Sequence, residues 1–556
     1  MLMGRFAEAR IDKLVSGAMM AKIIVRAKMA KVDEFAGEKL ARSPVYGTKF
    51  MVVSGHSLAS TAGVKTLEAG GSLIDAMIVT SSVLCTVLPH ATSFGGDAFI
   101  IYYDAKSKKT IGLNASGHAP AGATPDFFKE GMVVRGPLAA SVPGLVRGWE
   151  RLHQKYGKIE WPNLFKTALD LAENGHPLSR VLASALRLFQ KDVSADPGCS
   201  SLYMPNGVPL NAGDLIKQPS LAETIRSIAS EGSSAFYEGA IAKSIGEYSQ
   251  QCGGLLSPAD FQGYEPEWVD VLSADYKGHK VCVMPPNSYG YLMLMQLNAL
   301  SGLNSKELCR SDPDRLAYLM TAARVAFDEG KSFICDPAFY PAPLDEFLST
   351  EFTKKMQNIV AEATPGSHQK PGVGGTSCIT MVDHEGNACA VVQSVFHVFG
   401  SAWLDPGTGI LLNNRMTGFD TDPNHRNVVA PKKRPSHTLN PVMVFKDGAV
   451  KYLMTTPGGP AQTISNVQML TNLVDRGFEL SAALESPRWS IDGSGNPIID
   501  DEYPQETIDA LKARGFLLER ASGASYFGSS KCIEVMDKGV FAGAADHRRE
   551  AYACGY

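Results

Sequence analysis

From Phe50 onward, apolar and polar positions follow two alternating periods. "KFMVVSGHSLASTAGVKTLEAGG" opens on a short apolar run and turns. Its apolar residues then recur three and four apart up to a Gly-Gly stop, which predicts a strand followed by an amphipathic helix. "SLIDAMIVTSSVLCTVLP" is apolar nearly all round, the pattern of a helix buried on every side. It leads through "HATSFGGDAFIIYYD", where Gly95 and Gly96 feed another strand. Between about 140 and 365 the period is mainly helical, as in "SVPGLVRGWERLHQKYG" and "RLAYLMTAARVAFDEGKSF", and this middle reads as scaffold.

After residue 370 the two-residue period takes over. "TSCITMVD" and "NACAVVQSVF" form a hairpin across "HEGN", where Gly386-Asn387 suits positive dihedrals, and "NPVMVFKDGAVKYLMTT" repeats the pattern with "KDG" as its turn. Helices follow in "QTISNVQMLTNLVDRG" and "PQETIDALKARG". Strands in the middle with helices outside predict a layered α/β architecture, and no internal repeat is evident.

A chain of 556 residues with 44% hydrophobic content can bury at least one large core. The net charge of -4 leaves no electrostatic footprint for nucleic acid, and the run Lys432-Lys433-Arg434 reads as a solvated loop. Ten cysteines stand singly, without C-x-x-C or the short Cys/His spacing that zinc needs, so no metal is expected. Reduced core thiols favour a cytoplasmic address, with the periplasm as the alternative. In the first 45 residues, "LVSGAMMAKIIVRAKMAKVDEF" loses its apolar run at Lys22 and predicts a helical extension rather than a signal peptide. No run of about 18 apolar residues occurs, so no membrane span or membrane partner is expected.

Two hydroxyl residues are candidate nucleophiles. Ser57 in "VVSGHSLAS" lies between a strand and a helix, one residue from matching G-x-S-x-G. An elbow serine needs earlier strands, however, and the simpler reading is that Ser57 caps or initiates the helix. Thr376 follows Gly374 and Gly375 in "PGVGGTSCITMVD". A threonine hydroxyl needs an adjacent base, and a chain cut before Thr376 would supply one in its own freed amine. Glycines before it can take strained dihedrals that let the hydroxyl reach the preceding carbonyl. In "TTPGGPAQT", Gly458 and Gly459 offer two unobstructed N–H groups between stiffening prolines, suited to an oxyanion hole. A plain Pro-Gly-Gly turn is the competing reading.

With "GGSLIDA", "FGGDAF", "SVPGLVRGW", "GGLLSPADFQGYEPEW", "VMPPNSYG", "GTGILLNN", "TPGG", "ESPRW" and "ACGY" in this order, the chain resembles the gamma-glutamyltransferase family of N-terminal-nucleophile hydrolases from about Gly47 to Tyr556. The resemblance implies a four-layer αββα sandwich built from two fragments of one precursor: an extension over 1–45, a large subunit over 46–375 and a small subunit over 376–556. Cleavage would fall between Gly375 and Thr376. Thr376 would be the nucleophile, Ser394 the hydroxyl that orients it, and Gly458 with Gly459 the oxyanion hole. No cofactor is implied.

Several positions depart from the family pattern. Thr376-Ser377-Cys378 replaces Thr-Thr-His, Ser116 stands where the family's carboxylate-binding arginine belongs, and Gly418 replaces the acid that holds the donor's amine. Arg415 replaces a Gln or Glu, and His437-Thr438 replaces a Ser-Ser pair. A gamma-glutamyl group carries both an ammonium and a carboxylate, so these changes remove both halves of its recognition. Arg415 adds a cation that can hold a carboxylate. The expectation is therefore an autoprocessed amidohydrolase or acyltransferase for a small carboxylate-bearing donor, with Arg415, His437 and Thr438 as substrate contacts. The alternatives are a true glutathione hydrolase or transpeptidase and an unprocessed, inactive relative with a binding role.

Overall fold

Two seven-stranded antiparallel sheets form the middle of the structure, a computed structural model that describes residues 42–366, 375–491, 496–522 and 527–556. The first sheet runs Tyr552–Gly555, Phe50–Ser54, Gly375–Asp383, Ala388–Phe396, Asp97–Asp104, Lys109–Ala115 and Glu267–Val269. The second runs Val45–Gly47, Phe541–Ala545, Lys531–Val535, Ala449–Thr455, Val442–Lys446, His279–Val283 and Leu272–Tyr276. The sheets pack face to face: Val53, Phe99, Ile101 and Val392 from the first meet Met443, Leu453 and Ile533 from the second in one buried cluster. Side chains of the opposite parity lie on the outer faces, under helices Ser57–Glu68, Leu73–Val87 and Leu145–Tyr156 on one side. Helices Gly290–Leu300, Asp312–Gly330 and Ala461–Val474 cover the other. The result is the four-layer αββα sandwich.

Contacts divide the chain into Met1–Ser43 and Pro44–Tyr556, and the structure below belongs to the second unit. The helical extension expected over 1–45 lies outside the described residues as far as residue 41, and Val45 already belongs to the strand Val45–Gly47. Helix Leu73–Val87 is buried along its whole length, as its all-round apolar pattern requires, and starts from a reciprocal Ser72–Asp75 capping box. Ser57 is the first residue of its helix, but His56 is the cap, its Nδ1 accepting from the Leu58 amide at 3.2 Å.

One local expectation needs correction. The loop between the central strands is the expected four residues, 384–387, but only Gly386 takes positive φ (88°) and Asn387 does not, its amide donating instead to the Asp383 carboxylate while the Gly386 amide donates to the Asp383 carbonyl. The middle of the chain is mainly helical, as expected, and it also contributes strands. Glu267–Val269, Leu272–Tyr276 and His279–Val283 add one strand to the first sheet and two to the second. "LSADYKGHKVCV" alternates around a Lys277-Gly278 turn, both residues at positive φ (51° and 79°), a short signal hidden among helices.

Candidate active site

Alternation decides which side chains meet between the sheets. Cys378 and Val382 belong to the inter-sheet cluster, so Thr376 on the same strand shares their face. Ala390 and Val392 do the same for Ser394, and Phe99 with Ile101 for Asp97. Thr376, Ser394 and Asp97 thus lie side by side on three adjacent strands, at one end of the inter-sheet layer.

Register breaks at this end. Gly375 pairs with Phe396 and Ser377 with Gln393, which leaves Thr376 facing both Ser394 and Val395 in a bulge. Phe396 closes it at φ 79°, a strained value for an aromatic residue. The Ser394 hydroxyl donates to the Gly375 carbonyl oxygen at 2.5 Å, and it accepts from the Thr376 hydroxyl at 3.4 Å and the Phe396 amide at 2.7 Å. One hydroxyl therefore bridges the carbonyl before Thr376 and the Thr376 oxygen. Gly375 has no positive φ; glycine is needed here because a Cβ would come within 3.0 Å of the His90 and His397 carbonyl oxygens. Gly374 lies outside the described residues.

Gly458 and Gly459 follow the strand Ala449–Thr455 of the facing sheet, at φ 138° and 58°. Their carbonyls accept from Ala461 and Gln462 as the helix Ala461–Val474 begins, and no hydrogen bond among the described residues engages their amides. On the same strand, the Thr455 side chain lies close to Cys378, two residues beyond Thr376, which brings the two segments to the same end of the interface.

Charge gathers around Asp97. Its Oδ2 accepts from Arg415 Nε at 3.0 Å and lies 3.3 Å from His437 Nε2, while its Oδ1 accepts from the Gly117 amide at 3.0 Å. All three side chains are sealed from solvent. Burial lowers Arg415 to about 10, and burial with the nearby guanidinium lowers His437 to about 3, so its imidazole is neutral. The Phe396 ring covers the guanidinium at 4.4 Å, and Arg415 Nη1 and Nη2, His437 Nδ1 and Thr438 Oγ1 are buried without partners among the described residues. Ser116 is tied up elsewhere, its hydroxyl donating to Asn114 Oδ1 at 2.7 Å and accepting from Asn287 at 3.3 Å. The Gly418 carbonyl takes bonds from Asn427 and Ser436, and a Cβ at Gly418 would come within 2.9 Å of the Ser436 carbonyl.

A cavity of about 590 Å³ opens beside this cluster, with Phe396, Gly418, Thr438 and Pro460 on its wall. Thr438 therefore reaches the cavity, whereas Arg415 lies behind Phe396 and the buried His437 packs on Phe99. Three polar groups escape a reading of the sequence: Asp97, the hub of the cluster; Lys331, on the cavity wall; and Lys531, 2% exposed, which burial lowers to about 8 close to Cys378. Asp97 alone carried a signal, as the acid opening a strand in "FGGDAF".

A four-layer sandwich with a hydroxyl residue opening an inner strand defines the class of N-terminal-nucleophile hydrolases. The chain belongs to the gamma-glutamyltranspeptidase family, whose profile matches residues 59–556. It is 32% identical to the glutathione hydrolase-like YwrD proenzyme of Bacillus subtilis, over 92% of this chain and 99% of that protein. It is 28% identical to the oxamate amidohydrolase proenzyme of Klebsiella pneumoniae, over 92% and 99%. The crystal structure of a cephalosporin acylase from Bacillus halodurans superposes with a TM-score of 0.87 at 29% identity, covering 94% of this chain and 98% of that one. No helix among the described residues is long and apolar enough to cross a membrane.

Proposed function

We propose that the chain cuts itself between Gly375 and Thr376 and then hydrolyses, or transfers the acyl group of, a small amide whose acyl part bears a carboxylate. The observation that carries this reading is the Ser394 hydroxyl held between the Gly375 carbonyl and the Thr376 oxygen. In the first reaction Thr376 Oγ1 attacks the Gly375 carbonyl carbon and the peptide C–N bond breaks. The acyl chain is left as an ester and the Thr376 nitrogen as an amine. Water then hydrolyses the ester, and 46–375 and 376–556 remain together as the two fragments of a heterodimer, with 1–45 as the leading extension.

In the second reaction the Thr376 amine, of ordinary pKa about 7.7 to 8.0, takes the hydroxyl proton as Oγ1 attacks the donor amide and passes it to the leaving amine. Gly458 and Gly459 hold the oxyanion, Ser394 orients the hydroxyl, and water or an acceptor amine releases the acyl group. Thr438 touches the donor. Arg415 and His437 are sealed behind the cavity wall, Arg415 under the Phe396 ring, and the two unpartnered guanidinium nitrogens would favour a carboxylate over an ammonium once that ring moves aside.

The engaged Ser116 and the crowded Gly418 support a donor without an α-amine, and so do the names of the similar acylase and oxamate amidohydrolase. Ten free thiols support a reducing, cytoplasmic address. A donor panel tests the substrate class. The processed enzyme is expected to show at least about tenfold higher kcat/KM for glutaryl or oxamate-type amides than for γ-glutamyl-p-nitroanilide, the cost of an unpaired ammonium. A preference for the γ-glutamyl compound would restore the glutathione hydrolase reading.

A further inference from the structure

A buried ammonium stands at the site end of the inter-sheet layer. Lys531 opens the strand Lys531–Val535, and Ile533, at the same parity, belongs to the cluster between the sheets, so Lys531 faces the layer that also holds Thr376 and Cys378. Its register partner is Thr455, the last residue of the strand that leads to Gly458 and Gly459. We propose that Lys531 tunes the freed amine of Thr376, its positive charge keeping that amine unprotonated near neutral pH so that it can take the hydroxyl proton. The assignment rests on the proposed function above and makes Lys531 a positioning residue, which acts through the amine without touching the donor.

Three observations carry it. Lys531 is 2% exposed and donates to the Ser529 carbonyl oxygen at 2.6 Å and the Ser529 hydroxyl at 3.3 Å, neutral acceptors that leave its charge uncancelled. Ser529 follows Gly528, where a Cβ would run into the Pro457 carbonyl oxygen, so the lysine is anchored against the loop of the proposed oxyanion hole. Lys531 also lies close to Cys378, which is two residues, or about 7 Å of strand, beyond Thr376 on the same face.

The other charged groups at this end are paired, neutral or of the same sign. Asp97 is met by Arg415, and Asp546 by Arg488 and Arg548. Glu550 acts on His56, burial holds His90, His397 and His437 neutral, and it raises the Cys378 thiol to about 11. Arg549, also near Cys378, adds a second positive charge. Burial lowers Lys531 to about 8, so it carries its proton over the range in which an amine of ordinary value about 7.7 to 8.0 must shed its own. Repulsion between the two ammonium groups then pulls the amine below that value.

A buried lysine also has a structural use, holding the Ser529 turn, and pH profiles separate the two roles. The kcat/KM of the processed wild type, Lys531→Met, Lys531→Gln and Lys531→Arg for glutaryl-p-nitroanilide is followed from about pH 5.5 to 9, with processing checked by electrophoresis. The acid limb is expected below about 7.5 in the wild type, to move up by about one pH unit in Lys531→Met and Lys531→Gln, and to return in Lys531→Arg. At pH 6 that shift reads as an approximately tenfold loss of kcat/KM, which fades by pH 9. Loss at every pH with the limb unmoved is the mark of a structural role and overturns the assignment, leaving the proposed function intact. So does an acid limb at or above about 8 in the wild type, a measurement that needs no variant. A processed wild type that hydrolyses no amide at all would overturn the proposed function and the assignment with it.

Discussion

Ser394 is the residue on which the proposed chemistry turns, because its hydroxyl uses its proton and two acceptor positions on three groups: the Gly375 carbonyl, the Thr376 hydroxyl and the Phe396 amide. Ser394→Ala removes the orienting contact and strands a buried amide, each worth about 1–3 kcal/mol. Self-cleavage and amide hydrolysis should therefore slow by about 10- to 100-fold, with Ser394→Thr recovering much of the loss; time courses of both reactions in the three proteins check this. Rates unchanged in Ser394→Ala would remove Ser394 from the site. Thr376 and the two glycines could be picked out as candidates from the sequence because each sits in a short motif whose chemistry depends on local spacing, whereas Ser394 entered only through the family resemblance. The surroundings of Arg415 were not legible. Its pairing with Asp97 joins residues 318 positions apart, and its covering by Phe396 follows from a bulge that no sequence pattern announces. A cation read in the sequence as a carboxylate contact is, in the fold, one-third of a sealed cluster.

At the scale of elements, two-residue alternation was the reliable signal wherever a strand was long. The strands Gly375–Asp383 and Ala388–Phe396 pair as the sequence predicts, and so do Val442–Lys446 and Ala449–Thr455, whose Asp447-Gly448 turn takes positive φ at both residues. What failed was the short strand. Glu267–Val269 has three residues and Leu272–Tyr276 five, too few for a period to stand out beside helices of 19 residues such as Asp312–Gly330. Strands Gly375–Asp383 and Ala388–Phe396 are buried on both faces, so apolar residues at both parities were right for them, yet only the packed sheets reveal which parity faces the site. Ser57 illustrates the same limit in reverse. Its strand-turn-helix setting suggested a nucleophile, but in the structure it is an exposed first residue of a helix capped by His56.

The whole molecule carries a pH dependence set by its buried imidazoles. Burial is the main cause that lowers His90 and His437 to about 3 and His397 to about 4, against an ordinary 6.5. A histidine whose folded value is depressed contributes stability above the unfolded value and loses it as pH falls. Below about pH 6.5 the unfolded chain takes up protons that the native chain refuses, so stability should drop by up to about 1.4 kcal/mol per pH unit for each such histidine. Thermal midpoints of the single-chain Thr376→Ala protein should fall steadily from pH 6.5 to 5, and the slope should be shallower in His90→Gln. A flat profile would show that these imidazoles are not held neutral.

The central claim concerns the molecule as a precursor, and the N-terminal sequence and intact mass of the purified protein test it most directly. The wild type is predicted to appear as two fragments of 375 and 181 residues, the smaller beginning at Thr376, while Thr376→Ala remains one chain of 556. A folded wild type that hydrolyses amides as an uncut chain, or a Thr376→Ala protein cut at the same bond, would contradict it.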